Sequence, residues 1–284
     1  MKRALVLEGG GFRGMFTAGI LDYFLEQKLN FNSVIGVSMG ALIGMNYISK
    51  QKYRSRDLAI NYMFDKNYIS FKNLILKGNL VNWDYLFSGK INEDNPFDEK
   101  SFHKSSSNFF VNVFNLKTGE VEYHDTVEND HFIDYIKASA SLPVASRKVK
   151  IGDEIFFDGG VVDSLAFEKA IEDGYDKTVL ILTRTLEYKK KVQPALWFFR
   201  LRYFRYPKLY KKLKVRHDRY NKLVKKAVEL EKNGELFIIR PEEELGVGRF
   251  EKDVGKLKEI YNIGYEYANK IYPDLIKYLK DENA

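Results

Sequence analysis

The chain has no cysteine, only four histidines and no long unbroken apolar run. Without cysteine there is no disulfide framework, no thiolate zinc site and no cysteine nucleophile. His103, His124, His131 and His217 lie outside any glycine-rich or strand-end setting, so none marks itself as a catalytic base. The uncharged stretch from Leu29 to Ser49 is long enough to span a bilayer. However, Asn30, Asn32, Ser33, Ser38, Asn46 and the glycines at 36, 40 and 44 interrupt it, and it reads as a buried strand and helix. The basic start, Met1-Lys2-Arg3, is followed by an apolar run that ends at Glu8, too short for a signal peptide. No cluster of side chains has metal-ligand spacing, and neither a metal nor a cofactor is expected. Repeats and low-complexity linkers are also missing.

The 284 residues, 45% apolar and 30% charged, suffice for a large core. Apolar strand-like runs at 2–8, 33–35, 178–183 and 236–240 alternate with helical patterns at 15–27, 39–49, 54–64, 132–139 and 165–173. A hairpin signal, Lys117-Thr118-Gly119, separates 109–116 from 120–124. A strand over 149–157 is broken by a Gly152-Asp153 turn, and 252–280 reads as a long amphipathic helix or helix pair. Residues 66–107 read as mixed and loop-rich. The alternation predicts an α/β fold with a central, mostly parallel sheet flanked by helices. One domain is expected, with a core over 1–185 and a basic helical appendage over 186–284.

Two glycine-framed motifs stand close together near the N-terminus. In Gly36-Val37-Ser38-Met39-Gly40, a serine sits where an apolar strand gives way to a helix. A serine hydroxyl becomes a nucleophile only when exposed, positioned and paired with a base. A sharp strand-to-helix turn supplies the exposure and demands small residues two positions to either side. Alone the motif is weak, with about one chance match in ten chains of this length, and a tight turn with an inert serine explains it equally. Gly9-Gly10-Gly11-Phe12-Arg13-Gly14 is far rarer. Consecutive glycines let backbone N–H groups converge on an anion; placed between a strand and a helix, such donors can stabilise a tetrahedral oxyanion, with Arg13 adding positive charge or orienting the loop. The same glycines fit a dinucleotide fingerprint, but the acidic residue that fingerprint needs about 20 positions on is replaced by Val34-Ile35-Gly36-Val37-Ser38. Asp158-Gly159-Gly160, after the apolar Ile155-Phe156-Phe157, offers a carboxylate at a strand end as the base for Ser38. An ordinary Asp-Gly turn accounts for those residues equally well.

Together these motifs resemble the patatin-like phospholipases, which pair a GGGxRG loop with a GxSxG elbow and a DGG or DGA motif. The resemblance covers about residues 3–183. It implies Ser38 as nucleophile, Asp158 as general base without a histidine, and an oxyanion hole from Gly10, Gly11 and Arg13. Gly9, Gly14, Gly36, Gly40, Gly159 and Gly160 would support them. Asn115–Glu120 and Ala138–Pro143 resemble a hairpin and an ASxAxP stretch of the family, the latter with packing and turn roles. Asp163 stands where many members have Asn, and Ala166 where proline is common, which predicts an adjusted local turn.

The net charge of +7 is uneven. Arg184–Lys226 carries 16 Lys and Arg against Glu187 and Asp218, leaving the remainder acidic. Over 189–226 the charges interleave with Leu196-Trp197-Phe198-Phe199 and Tyr203-Phe204, a composition suited to an anionic membrane surface. A helical flap with solvated charges is the structural alternative. No nucleic-acid partner is expected. The combined reading is a serine hydrolase acting on phospholipids or other fatty-acyl esters, cytoplasmic, with peripheral contact to the inner membrane surface. Its rivals are a non-catalytic lipid-binding protein on the same fold and, further off, a nucleotide-binding protein.

Overall fold

The computed structural model describes residues 1–280, so the last four residues of the 186–284 segment lie outside it. Strand β1 (Arg3–Leu7) passes through a short 3-10 turn (Gly11–Arg13) into helix α1 (Gly14–Glu26), and β2 (Ser33–Gly36) turns into α2 (Met39–Ile48). Helix α3 (Arg54–Asn61) is followed by α4 (Phe71–Lys77), α5 (Trp83–Phe87), α6 (Lys90–Asp94) and α7 (Glu99–His103). The loop-rich expectation for 66–107 is therefore corrected to a run of short helices. These are too short for a 3.6-residue period to show. Three of them start at side-chain caps, with Ser70, Asn82 and Asp98 each accepting a backbone N–H of the first turn.

Next come β3 (Asn108–Asn115), β4 (Val121–Asp125), α8 (Phe132–Ser139), β5 (Val149–Ile151), β6 (Glu154–Asp158), α9 (Phe167–Glu172) and β7 (Lys177–Ile181). The chain ends with α10 (Leu196–Arg202), α11 (Pro207–Lys232), β8 (Leu236–Ile239) and α12 (Val254–Lys280). No helix among the described residues is long and apolar enough to cross a membrane.

One sheet runs β5-β6-β3-β2-β1-β7-β8, with β4 also on β3. From β3 to β8 all neighbours are parallel, while β4, β5 and β6 join antiparallel. The expected mostly parallel sheet is present. Its register matters for the site. Phe110 and Val111 of β3 pair with both β2 and β4, and Val113 and Phe114 pair with both β4 and β6. A strand has two edges, so β2 and β6 must share the edge opposite β4. They approach each other along it, and their C-terminal ends, Gly36 and Asp158, meet Val111 and Val113.

The period of two in a strand sends alternate residues to opposite faces. Leu5 and Leu7 join a core with α1, α2 and α12, whereas Ala4 and Val6 join one with α9 and α11. The sheet is thus sandwiched between helical layers. Helix α1 is buried on every side from Gly14 through Phe24. The reason is α12, which covers its outer side. The two helices approach closely at reciprocal glycines: a Cβ on Gly19 would lie 2.1 Å from the Tyr261 carbonyl oxygen, and one on Gly264 would lie 2.1 Å from that of Phe16. Asp22 then accepts from the Tyr261 hydroxyl at 2.8 Å. Helix α12 is a single helix with Pro273 inside it.

Candidate active site

Leaving β2, the chain reverses at Ser38, whose φ of 56° and ψ of −118° are strained for a residue with a Cβ. The turn is possible because Gly36 and Gly40 lack side chains. A Cβ on Gly40 would lie 2.4 Å from the Leu7 carbonyl oxygen, and one on Gly36 would lie 2.7 Å from the Ala41 Cα. Ser38 caps α2, so the positive end of that helix faces the space in front of the hydroxyl.

The glycine loop lies directly beside it, and a Cβ on Gly9 would touch the Ser38 Cβ at 2.8 Å. Gly11 has φ +60°, and a Cβ there would collide with the Arg249 carbonyl, which accepts the Phe12 N–H at 3.2 Å. Among the described residues nothing accepts the N–H of Gly10 or of Gly11. Arg13 is buried behind them with an unpaired Nε, and Gly14 opens α1 against Met39 and Ile43. At the end of β1, Glu8 is buried and accepts from the Thr183 N–H at 2.6 Å and the Tyr220 hydroxyl at 2.8 Å.

Asp158, at the end of β6, is 1% exposed. Burial pushes its carboxyl pKa up, opposed by hydrogen bonding to Ser38, the charge of Arg216, the Gly160 N–H and the charge of Arg249. The Gly160 N–H donates to it at 2.7 Å. Gly159 packs flat on Asn112 of β3, where a Cβ would come within 2.6 Å of the Asn112 side chain.

Some site residues lie where the sequence drew no attention. Ser139 is wholly buried, and its hydroxyl accepts the Ser38 N–H at 3.0 Å. The Ser141 carbonyl accepts the Asp158 N–H at 2.9 Å. The 138–143 stretch therefore braces both candidate residues, beyond the packing and turn roles expected of it. Arg216 reaches in from α11 and donates to the Gly160 carbonyl at 2.9 Å. A signal for it existed: Leu209, Leu213, Tyr220, Leu223 and Ala227 form the buried stripe of α11, and Arg216 falls on that stripe between Leu213 and Tyr220. At the local turn, Asp163 accepts the Tyr123 hydroxyl at 2.7 Å and the Ala166 N–H at 2.9 Å. Ala166 sits at φ 50°, which a proline ring cannot adopt.

A cavity of about 360 Å³ opens at this site. Ser38, Asp158, Gly9, Gly10, Gly11, Arg13 and Gly160 are in its wall, while Gly14, Gly36, Gly40 and Gly159 support it from outside. Part of the wall is largely apolar, built by Leu42 of α2, Leu58 of α3, Ile69, and Trp83, Leu86 and Phe87 of α5, with Arg54 of α3 beside them in the lining. Another part is charged, with Arg184, Lys190, Arg216 and Arg249 beside Glu8 and Asp158. None of the four histidines lines it.

The patatin-like phospholipase family model matches residues 5–171, and a domain of unknown function (DUF6363) matches residues 206–280. An uncharacterized protein of Escherichia coli, YjjU, is 27% identical over 70% of this chain and 56% of its own length. The probable lipid hydrolase 463L of Invertebrate iridescent virus 6 is 24% identical over 60% of this chain and 63% of its own. Lysophospholipase nte1 of Neurospora crassa is 24% identical over 95% of this chain but only 18% of its own length. The chain thus spans less than two-thirds of each of these curated relatives. Among solved structures, VipD from Legionella pneumophila shares the fold at a TM-score of 0.51 and 15% identity, covering 96% of this chain and 67% of that one. With its family model spanning more than half of its length and the three motifs gathered in one cavity, the chain belongs to the patatin-like phospholipase family.

Proposed function

We propose that this protein is a serine acyl hydrolase acting on phospholipids or related fatty-acyl esters. The observation that carries the reading is that Ser38, two residues beyond the β2 end at Gly36, and Asp158, at the β6 end on the same edge of β3, line one cavity with Gly10 and Gly11, whose N–H groups have no acceptor among the described residues. In the reaction, the Ser38 Oγ attacks the ester carbonyl carbon as its proton passes to the Asp158 carboxylate. The carbonyl oxygen becomes an oxyanion held by the Gly10 and Gly11 N–H groups, with the positive charge of Arg13 behind them. The ester C–O bond then breaks, and the leaving alkoxide takes the proton from Asp158. A water, deprotonated by the same carboxylate, attacks the acyl-serine carbonyl; the C–Oγ bond breaks, Asp158 returns the proton to the Ser38 Oγ, and the fatty acid is freed. The apolar part of the cavity suits the acyl chain. Residues 1–185 and the helices beyond them act here as one domain, because Arg216 from α11 completes the site.

A fluorophosphonate probe read by intact mass tests the nucleophile. One adduct on the wild type and none on Ser38→Ala is expected. No adduct on folded wild type would discard the hydrolase reading in favour of lipid binding alone.

Asp158 also sets a pH dependence. Only its ionised form accepts the proton, so kcat/KM rises with pH through a pKa lifted above the ordinary carboxylate range. Arg216 favours the carboxylate, and Arg216→Met is expected to move that acid limb to higher pH and cost severalfold in activity below it. An unmoved limb would mean that Arg216 does not act on Asp158.

Membrane contact is supported by two exposed apolar faces. Helix α10 buries none of its residues and presents Trp197 and Leu201, with Phe204 just beyond. Helix α4 presents Phe71, Ile75 and Leu76, with Ile75 82% exposed. The 142–146 loop links them: the Val144 N–H donates to the Tyr203 hydroxyl at 2.8 Å, and the Leu80 N–H to the Ala145 carbonyl at 2.8 Å. Leu142 of the same loop lines the cavity, so the loop that joins the two faces also reaches the cavity wall. Lys72, Lys77, Arg200, Arg202 and Arg205 stand among the apolar side chains, matching an anionic surface. Trp197→Ser combined with Ile75→Ser is expected to lower binding to phosphatidylglycerol vesicles at least tenfold in flotation, with the melting temperature held. Unchanged flotation would remove this face.

A further inference from the structure

The charged part of the cavity is more basic than the hydrolysis of an ester requires. Besides the oxyanion loop's Arg13, four cations reach it from sequence beyond the family match: Arg184, Lys190, Arg216 and Arg249. The carboxylates in the wall are Glu8 and Asp158, and Arg184 is already paired with Glu244, so this part keeps a surplus of two positive charges, with Arg54 of α3 a further cation elsewhere in the wall. Glu8 is already held by Thr183 and Tyr220, and Asp158 by Gly160.

Among the described residues, Arg184 pairs with Glu244, but Arg13, Lys190, Arg216 and Arg249 make no ion pair. The Nε atoms of Arg13 and Arg184 are buried without an acceptor. Lys190 is placed with care. Its N–H donates to the Asn221 side chain at 2.9 Å, its carbonyl accepts from the same side chain at 3.1 Å, and its Nζ lies 3.7 Å from the centre of the Tyr220 ring. An ammonium so fixed, beside guanidinium groups that repel it, is costly unless an anion joins them. The same crowding is visible in its acidity: burial first, then Arg216, Arg249 and Arg13, pull the Lys190 pKa down against the opposing pull of Glu8.

We propose that Lys190, Arg216 and Arg249, backed by Arg13 and Arg184, form a subsite for a phosphate group carried on the alcohol side of the scissile ester. This rests on the hydrolase reading above and narrows it. The preferred substrate carries a phosphate whose charge is not offset by an amine. A dianionic phosphomonoester, or a phosphodiester on an uncharged alcohol, answers the surplus charge. A choline headgroup brings its own cation into a basic wall, and a monoacylglycerol brings no charge.

The test compares lysophosphatidic acid, lysophosphatidylcholine and monoacylglycerol of one acyl chain, each below its micelle concentration so that surface binding does not enter. Wild type is expected to show kcat/KM at least tenfold higher for the first than for either of the others. Lys190→Met and Arg249→Met are each expected to cut that preference at least fivefold. Lys211→Met, on the exposed side of α11, is expected to leave it alone. Equal rates for the three esters, or a preference untouched by both pocket variants, overturns the proposal.

If no ester is cleaved, the hydrolase reading fails separately, and calorimetric titration of Ser38→Ala with lysophosphatidic acid decides the subsite. Binding lost in Lys190→Met upholds it, and binding indifferent to Lys190→Met sinks it. Inorganic phosphate and glycerol 3-phosphate are titrated alongside. If inorganic phosphate binds as tightly as lysophosphatidic acid, and phosphate-bearing esters are not preferred, the cations serve a free phosphate and the substrate assignment is overturned.

Discussion

Ser38→Ala is expected to lower kcat for ester hydrolysis by about 10⁴-fold or more, down to the residual rate that oxyanion donors and binding alone sustain. Asp158→Asn should fall comparably, because a hydroxyl without its base is a weak nucleophile. The double variant should be little worse than either single one, since the two groups act as a unit. The stability readout runs the other way. The folded-state pKa of Asp158 is raised, so the stability tied to this group is fully present below the unfolded carboxyl pKa and is lost as pH rises through the folded one. At pH 7, above the unfolded carboxyl pKa, burying this group carries a cost that an amide removes. Asp158→Asn should therefore melt no lower than wild type at pH 7 while losing its activity. Wild-type turnover in Asp158→Asn would end the assignment of the base, and a large drop in melting temperature would mean that this carboxylate is chiefly structural.

The largest expected effect on stability lies far from the reacting groups. In a solvent-exposed helix, Gly→Ala gains about 1 kcal/mol. Gly264→Ala should instead cost about 2–4 kcal/mol, an overpacking penalty, because the added carbon would meet the Phe16 carbonyl at 2.1 Å. For a chain of this size that amounts to a fall of about 3–7 °C in melting temperature. Gly19→Ala should behave alike, with the Tyr261 carbonyl as the obstacle. Gly255→Ala is the contrast within α12, since it meets only the end of the Asp253 side chain. Differential scanning calorimetry of the three variants reads this directly, and a stabilised Gly264→Ala would show that α1 and α12 do not pack at these glycines.

Much of this molecule was legible from the chain alone where a local rule decides the outcome. The strands flanking Lys117-Thr118-Gly119 pair as a hairpin because turn chemistry fixes them. The elbow at Ser38 follows from two glycines and an apolar triplet, and helix 132–139 from its own period. What escaped was set by tertiary contact. Helices α4 to α7 end within two turns, three of them starting at side-chain caps, and leave no period to read. The complete burial of α1 depends on a helix more than two hundred residues away. Ser139 looked like one small residue in a packing stretch, and only the fold aims its hydroxyl at the Ser38 amide. Arg216 was counted among the charges of a basic segment, although its place on an apolar stripe was the clue that it turns inward.

The shared edge of β3 has a mechanical consequence. Gly36 and Asp158 register with Val111 and Val113, two residues apart on a strand that rises about 3.3 Å per residue. The backbone repeat of one central strand thus acts as a ruler between the elbow and the carboxylate, and no hinge lies along it. Shape changes in the short helices or in the basic segment of α10 and α11 alter what enters the cavity without stretching that interval. Heat or denaturant, for its part, has no cheap way to pull the two apart short of dismantling the sheet. Loss of turnover and loss of amide protection in β3 would accordingly be one event.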